Sequence, residues 1–199
     1  MERGELLESG RCVVVAIDLQ GKLMELVQRP QLVIDATQRL FQLAEIFHIP
    51  VLLTEQYPDG LGPTHPDLRA SFDSLTVPTG YVSKTSFSCA GEPRFESELQ
   101  RLRPDLEPGD RQIVVAGIET HVCVMQTVLD LLRDGATVHV AWDCVSSRGE
   151  EYRRHALERI AQAGARVTNH ESIGFEWARD KKHPGFRAMS ELFRQGQPG

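Results

Sequence analysis

Short apolar segments alternate with longer segments of helical periodicity along almost the whole chain. The apolar segments are rich in β-branched residues and have no polar face, which is typical of strands buried on both sides of a parallel sheet. Six strands are predicted, at residues 12–18, 50–54, 80–84, 111–117, 137–142 and 165–169. Helices are predicted between them at residues 30–47, 92–101, 120–133 and 150–163, and one or two short helices follow in the tail.

This order of elements predicts a single-domain α/β fold: a doubly wound, mainly parallel six-stranded sheet with helices on both faces. With 199 residues, of which 41% are hydrophobic, the chain can bury one full core. We place the domain at residues 8–195 and expect flexible termini at residues 1–7 and 196–199. Residues 57–78 are rich in proline and glycine and longer than a usual loop, so we expect a lid or a pocket wall there.

The composition limits the classes of partner. The chain has 22 basic and 28 acidic side chains, a net charge of −6, with no block of like charge. Nucleic acids and membrane surfaces both require a concentrated basic face, so we expect neither as a partner and predict a small-molecule substrate. No apolar segment approaches the roughly 20 residues of a membrane span, and residues 1–10 lack the apolar centre of a signal peptide. These features predict a cytoplasmic protein.

Three chemically reactive residues are expected at the carboxyl ends of predicted strands. Asp18 ends the first strand, Lys84 ends the third, and Cys123 follows the fourth. Ligands of doubly wound sheets bind at these strand ends, so a carboxylate, an ammonium and a thiol would converge on one crevice. Cys123 falls in the first turn of the predicted helix 120–133, where unpaired N–H groups and the helix dipole favour the thiolate.

Each of these residues also has a purely structural interpretation. An aspartate commonly forms turns, a lysine is usually a solvated charge, and a free cysteine is often a buried hydrophobe. The cysteines are far apart in sequence, form no C-x-x-C pair and are therefore interpreted as free thiols: Cys12, Cys89, Cys123 and Cys144. A functional site is favoured by the joint occurrence of the three reactive residues rather than by any one of them.

Residues that flank the reactive positions are candidates for substrate binding: Gln20, Gln56, Phe87 and Thr120. Polar turn groups and core packing are alternative interpretations of the same residues. His121 is a weaker candidate for a catalytic base than Asp18. It lies two residues from Cys123 and therefore faces a different side of the helix.

The sequence lacks the common cofactor motifs. Residues 18–22, at the end of the first strand, contain neither a G-x-G-x-x-G turn nor a P-loop, which argues against a nucleotide-binding enzyme. After the second strand the nearest histidine is His65, and one histidine without a spaced partner makes a poor zinc or iron site. We predict no cofactor and no catalytic metal.

Four short segments occur along the chain in the order of a known family: residues 15–20 (Val-Ala-Ile-Asp-Leu-Gln), 54–56 (Thr-Glu-Gln), 83–85 (Ser-Lys-Thr) and 117–124 (Gly-Ile-Glu-Thr-His-Val-Cys-Val). Together they resemble the isochorismatase-like cysteine hydrolases. Residues 52–58 and 84–88 resemble the metal-independent branch of that family, whose substrate is unassigned. The resemblance extends from the first predicted strand to the sixth, and it implies a homo-oligomer.

The resemblance implies a catalytic triad of Asp18, Lys84 and Cys123. Cys123 would attack a carbonyl carbon and form a thioester that water hydrolyses. Asp18 would act as general base and then as general acid, and Lys84 would keep both groups charged and oriented. The family also implies a cis Ile118–Glu119 peptide bond, with the backbone N–H groups of Glu119 and Cys123 forming an oxyanion hole.

The expected reaction is hydrolysis of a small amide-like C–N bond. Isochorismatase itself cleaves a vinyl ether and lacks the cysteine, so the presence of Cys123 argues against that reaction for this chain. The alternative is a catalytically degenerate family member, an oligomeric interaction or scaffold protein with a redox-responsive thiol. A low pKa of the Cys123 thiol and turnover of small amides would favour the enzyme, whereas an inert Cys123 in a stable oligomer would favour the scaffold.

Overall fold

The computed structural model describes residues 5–195, which form one six-stranded sheet with helices on both faces. The strands are β1 (Cys12–Ile17), β2 (Val51–Gln56), β3 (Thr79–Lys84), β4 (Gln112–Ile118), β5 (Thr137–Ser146) and β6 (Arg166–Thr168). They pair in the order β3-β2-β1-β4-β5-β6, and each pair is parallel. The predicted doubly wound α/β fold is therefore confirmed. Residues 1–4 and 196–199, which belong to the predicted flexible termini, lie outside the described residues.

The helices are α1 (Gly21–Met24), α2 (Pro30–Ile46), α3 (Pro58–Leu61), α4 (Pro66–Asp73), α5 (Pro93–Leu102), α6 (Met125–Arg133), α7 (Glu150–Gln162), α8 (His170–Ala178) and α9 (Phe186–Arg194). A π-helical turn, Thr120–Val124, precedes α6. Proline begins α2, α3, α4 and α5, because its missing N–H needs no partner in the first turn and its fixed φ suits a helix. Within residues 5–195, no helix combines the length and hydropathy that a membrane crossing requires.

β1 shows why the strands are continuously apolar in sequence. Val14 and Ala16 belong to a core cluster that also contains residues of α2, α4, α8 and α9. Val13, Val15 and Ile17 belong to the cluster on the opposite face, with residues of α5, α6 and α7. Successive side chains of a strand point to opposite faces, so a strand covered on both faces needs apolar residues at every position.

Residues 57–78 differ from the predicted loop, because they contain α3 and α4. Leu68 and Phe72, one turn apart in α4, are buried in the core cluster that includes α2. Two buried positions in a two-turn helix are too short a pattern to distinguish from a loop in the sequence. Helix α1 is a single turn and has no periodicity from which it could be predicted.

The ordered chain begins before the predicted boundary at residue 8. Leu7 is fully buried, and its N–H donates to Glu176 Oε2 in α8 at 2.8 Å. β5 also extends to Ser146, past its predicted end at residue 142. The contact with α8 orders Leu7, and Val145 and Ser146 extend β5 because they pair with Gly117 and Ile118 of β4. Local periodicity shows neither contact.

The topology brings the three reactive residues to one edge of the sheet. β1 and β4 are neighbours at its centre, and the chain continues from them toward opposite sides of the sheet. Such a reversal leaves a crevice at the carboxyl ends of the strands. Asp18 directly follows β1, Lys84 is the last residue of β3, and Cys123 lies in the π-helical turn after β4.

We expect Gly117→Ala to be strongly destabilising. Gly117 pairs with Ile17 across β4 and β1 at a φ of 142°, and a Cβ there would overlap the Ile17 carbonyl oxygen. Urea unfolding followed by circular dichroism should show a loss of about 3 kcal/mol in the free energy of unfolding. Gly21→Ala is the control, because a Cβ at Gly21 meets no atom within 4 Å. Equal stability of the two variants would contradict the close approach of β1 to β4.

Candidate active site

Asp18 and Lys84 form a buried ion pair. The Lys84 Nζ lies 2.6 Å from Asp18 Oδ2, and both side chains are completely shielded from solvent. The same ammonium donates to Gln56 Oε1 at 2.7 Å and to the carbonyl oxygens of Ser86 and Phe87 at 3.1 and 3.2 Å. Oxygen atoms therefore replace the water that a buried ammonium loses.

These contacts determine the charge of Lys84. Burial alone lowers the pKa of a lysine, but the charge of the Asp18 carboxylate and its hydrogen bond to Lys84 favour the ammonium. The net effect is a pKa of Lys84 above its usual value. The side chain is therefore a fixed positive charge at neutral pH.

Cys123 is nearly buried beside this pair, with 6% of its surface exposed. Burial raises the pKa of Cys123, and the nearby Asp18 carboxylate raises it further, while Lys84 opposes both. The predicted lowering of this pKa by a helix N-terminus is wrong. The α-helix starts only at Met125, and desolvation together with a neighbouring negative charge outweighs the backbone N–H groups. The resting side chain is a thiol.

Glu119 is held firmly at the start of the π-helical turn. The Ile118–Glu119 peptide bond is cis. The Glu119 carboxylate accepts the Arg148 backbone N–H at 2.9 Å and its Nε at 3.0 Å. Burial alone raises the pKa of Glu119, but the hydrogen bonds and charge of Arg148 bring it below its usual value. The ionised side chain of Glu119 thus anchors the backbone that leads to Cys123.

Gln20 and Gln56 support the site through their carboxamides. Gln20 Oε1 accepts the Gln56 N–H at 2.8 Å, and Gln20 Nε2 donates to the Gly62 carbonyl at 2.6 Å. Gln56 Nε2 donates to the Thr85 carbonyl at 2.7 Å, while its Oε1 accepts from Lys84. Both ends of each carboxamide are occupied within the protein, so these residues orient β2 and Lys84. Contact with a substrate stays a prediction for them.

Thr120 and Phe87 occupy contrasting positions. Thr120 is fully buried, and its Oγ1 donates to the Ser146 carbonyl at 2.9 Å. Phe87 is 56% exposed, while its carbonyl accepts from Lys84. Of the predicted substrate-binding residues, Phe87 presents the most accessible side chain to a ligand, and Thr120 ties the π-helical turn to the end of β5.

His121 is engaged outside the ion pair. Its Nδ1 lies 3.0 Å from Ser147 Oγ, and its ring stacks on Tyr152 with the centroids 4.9 Å apart. These contacts fix the imidazole against α7, and the weaker candidacy of His121 as a base stays a prediction.

Two residues near the site were not among the predicted site residues. Thr54, in β2, donates through its hydroxyl to Asp18 Oδ1 at 2.8 Å. Cys89 Sγ lies 3.7 Å from the same hydroxyl. The alignment of Thr54 with Ile17 across β1 and β2 creates the first contact, and strand register is not visible in the isolated sequence.

Within residues 5–195, the side chains grouped closely enough to share a metal ion are Asp143, Cys144 and His170, whose ligand atoms lie within 4.8 Å of one another. Asp143 Oδ2 and His170 Nδ1 are 2.6 Å apart, and the Asp143 carboxylate also accepts the His170 backbone N–H at the start of α8. These contacts join β5 to α8, so the group already has a structural role. It shares no residue with the pair of Asp18 and Lys84.

A thiol, a carboxylate and an ammonium at the carboxyl edge of a doubly wound parallel sheet define a class of α/β protein with a buried cysteine site. Residues 12–172 match the isochorismatase domain family, and the chain belongs to that family. Isochorismatase domain-containing protein 2 of Xenopus laevis is 40% identical over 186 residues, which cover 94% of this chain and 85% of the relative.

Solved structures show the same fold. The structure of MAR1 ribonuclease from Caenorhabditis elegans is 33% identical with a TM-score of 0.86, covering 98% of this chain and 95% of that one. The YcaC gene product of Escherichia coli, described as an octameric hydrolase of unknown specificity, has 24% identity and a TM-score of 0.80. That comparison covers 99% of this chain and 100% of the other, and at this identity it supports the fold alone.

We expect Lys84→Met to cost about 3–5 kcal/mol of folding free energy, because it leaves the Asp18 carboxylate buried without its counter-charge. The double variant Asp18→Asn/Lys84→Met should recover part of that loss in urea unfolding at pH 7. Arg69→Met is the control, because the Arg69–Asp73 pair is exposed, and it should cost less than about 1 kcal/mol. Equal losses for Lys84→Met and Arg69→Met would contradict a buried ion pair.

The same measurement has a defined pH dependence. Because the folded-state pKa of Lys84 is raised, its stabilising contribution is complete below the unfolded-state lysine pKa of about 10.4. The contribution is lost as the pH rises through the folded-state pKa. The stability difference between the wild type and Lys84→Met should therefore stay constant from neutral pH to about pH 10 and narrow at higher pH.

Proposed function

We propose that the protein is a hydrolase that cleaves a small amide-like C–N bond through a covalent intermediate on Cys123. The observation that carries this proposal is the buried ion pair of Asp18 and Lys84, 2.6 Å apart, beside which the nearly buried Cys123 thiol lies close enough for the Asp18 carboxylate to raise its pKa. A thiol beside a base whose geometry is fixed by a third group is the arrangement required for nucleophilic catalysis.

The raised pKa of Cys123 gives Asp18 a definite task. A resting thiol is a weak nucleophile, so its proton must leave as the sulfur approaches the carbonyl carbon. Asp18 takes that proton while the S–C bond forms. The tetrahedral intermediate then collapses, the C–N bond breaks, and Asp18 returns the proton to the departing amine. Water hydrolyses the remaining thioester, releases the acid and restores the thiol.

Lys84 contributes a fixed positive charge. It stabilises Asp18 as a carboxylate before the reaction and partly offsets the negative charge that develops on the Cys123 sulfur. The carboxamide of Gln56 and two backbone carbonyls hold the ammonium in place, so little reorganisation is needed when charge develops.

The backbone N–H groups of Glu119 and Cys123 are the proposed donors to the oxyanion of the intermediate. The bonds from Arg148 to the Glu119 carboxylate support this role, because they fix the peptide that carries one of the donors. Loss of one such donor typically slows a reaction by about 100- to 1,000-fold.

The surroundings favour a small substrate. The reacting groups are buried, and the exposed ring of Phe87 provides an apolar surface beside the carbonyl that binds Lys84. Membership of the isochorismatase domain family is consistent with a hydrolase, and the Escherichia coli structural neighbour, whose specificity is unknown, leaves the substrate open.

RNA is a less suitable substrate, although the Caenorhabditis elegans relative is named a ribonuclease. Contacts to a phosphate backbone require accessible basic side chains. This chain carries a net charge of −6, and Lys84 is buried and paired with Asp18. We therefore favour a small carbonyl compound, and RNA cleavage that depended on Cys123 would contradict this choice.

Two further proposals concern assembly and location. The family resemblance implies a homo-oligomer for this chain, and the octameric state of the Escherichia coli structural neighbour is consistent with that proposal. The four free cysteines favour a reducing compartment such as the cytoplasm. Gel filtration with light scattering tests the first proposal, and a single-chain mass would contradict it.

We expect the purified protein to release amine or ammonia from members of a panel of small amides. Cys123→Ser and Asp18→Asn should each lower kcat/KM by about 1,000-fold or more, since each removes a participant in the chemical step. Cys144→Ser makes the same change at another buried thiol and should retain activity. Comparable turnover by Cys123→Ser and Cys144→Ser would contradict the proposed nucleophile, and the scaffold interpretation would then be favoured.

A further inference from the structure

Thr54 attaches to Asp18 at two points. The Asp18 backbone N–H donates to the Thr54 carbonyl at 3.1 Å, and the Thr54 hydroxyl donates to Asp18 Oδ1 at 2.8 Å. Lys84 occupies the other carboxylate oxygen, Oδ2, at 2.6 Å. The orientation of the Asp18 carboxylate is therefore set jointly by a hydroxyl and an ammonium.

Cys89 continues this chain of contacts behind Thr54. An ionised carboxylate only accepts hydrogen bonds, so the Thr54 hydroxyl proton is directed to Asp18 and its oxygen is left as an acceptor. The Cys89 thiol, 3.7 Å from that oxygen, is then the donor. Burial raises the pKa of Cys89 to about 11, which keeps the thiol protonated and able to donate at neutral pH.

The chain of contacts returns to Cys123 through Thr127. The Cys89 backbone N–H donates to Thr127 Oγ1 at 2.9 Å, and the Thr127 hydroxyl donates to the Cys123 carbonyl at 2.7 Å. Thr54, Cys89 and Thr127 are fully buried. Hydrogen bonds to the side chain and to the backbone of Cys89 thus connect the side chain of the proposed base, through this one residue, to the backbone of the proposed nucleophile.

We propose that three buried residues form a positioning arc: Thr54, Cys89 and Thr127. The arc holds the Asp18 carboxylate and Cys123 in fixed positions relative to each other. This inference rests on the proposed function and adds three residues to it. None of them reacts with the substrate. Thr54 compensates part of the charge on Asp18, Cys89 polarises the Thr54 hydroxyl, and Thr127 fixes the turn that carries Cys123.

The test is the pH profile of Cys123 alkylation by iodoacetamide, read by peptide mass spectrometry, because it needs no knowledge of the substrate. Thr54→Val keeps the shape of the side chain but removes the donor to Asp18. The carboxylate charge is then less compensated, and a thiolate is harder to form beside it. We expect the Cys123 profile to move up by about one pH unit, with alkylation about tenfold slower at a fixed pH on the rising limb.

Conservative variants separate positioning from general destabilisation. Thr54→Ser restores the hydroxyl and should return the profile to that of the wild type. Cys89→Ala should shift it in the same direction by a smaller amount, and Cys89→Ser should restore it. Thr37→Val is the matched control, because Thr37 is an equally buried threonine whose hydroxyl makes no hydrogen bond among the described residues.

The outcomes distinguish this inference from the proposed function. A wild-type Cys123 that resists alkylation at every pH removes the nucleophile and overturns both. If Thr54→Val and Cys89→Ala have the same alkylation profile as the wild type, the positioning arc is wrong. The proposed hydrolase function is not contradicted by that result. If Thr54→Val does not fold, the two Cys89 variants test the positioning arc. The Cys123 profile should shift up in Cys89→Ala and match the wild type in Cys89→Ser.

Discussion

The pairing of Asp18 with Lys84 is the contact on which the rest of the site depends. Two charges completely removed from solvent are tolerated only when they compensate each other and their remaining polar atoms are satisfied. At 2.6 Å the pair meets the first condition, and the oxygens around Lys84 with the Thr54 hydroxyl meet the second. Cys123 lies beside a charge distribution that exists before any ligand arrives.

The sheet provides the distances that this pairing requires. β2 separates β1 from β3, so the long side chain of Lys84 must pass the end of β2 to reach Asp18. Thr54 and Gln56, both in β2, each form a hydrogen bond with one member of the pair: Thr54 with Asp18 and Gln56 with Lys84. The strand between the two charges is therefore also the strand that orients them, which links the order of the sheet to the chemistry at its edge.

Much of this arrangement is predictable from the sequence, for identifiable reasons. Parallel strands that are buried on both faces are rich in β-branched residues, so β1 and β4 are recognisable in the sequence. Their ends in turn identify Asp18 and Cys123 as candidate site residues. The arc is not predictable, because the contact between Thr54 and Asp18 arises from strand register. The raised pKa of Cys123 also depends on burial and on a neighbour distant in sequence, whereas the sequence shows only a helix start.

The most direct measurement is mass spectrometry of protein mixed briefly with small amides and the corresponding activated esters, then quenched in acid. An acyl group on the peptide that contains Cys123, absent from Cys123→Ser and formed more slowly by Asp18→Asn, is the expected result. Turnover with the acyl group on another residue, or turnover without any acyl-protein under conditions where hydrolysis is slowed, would contradict a thioester on Cys123 and with it the proposed chemistry.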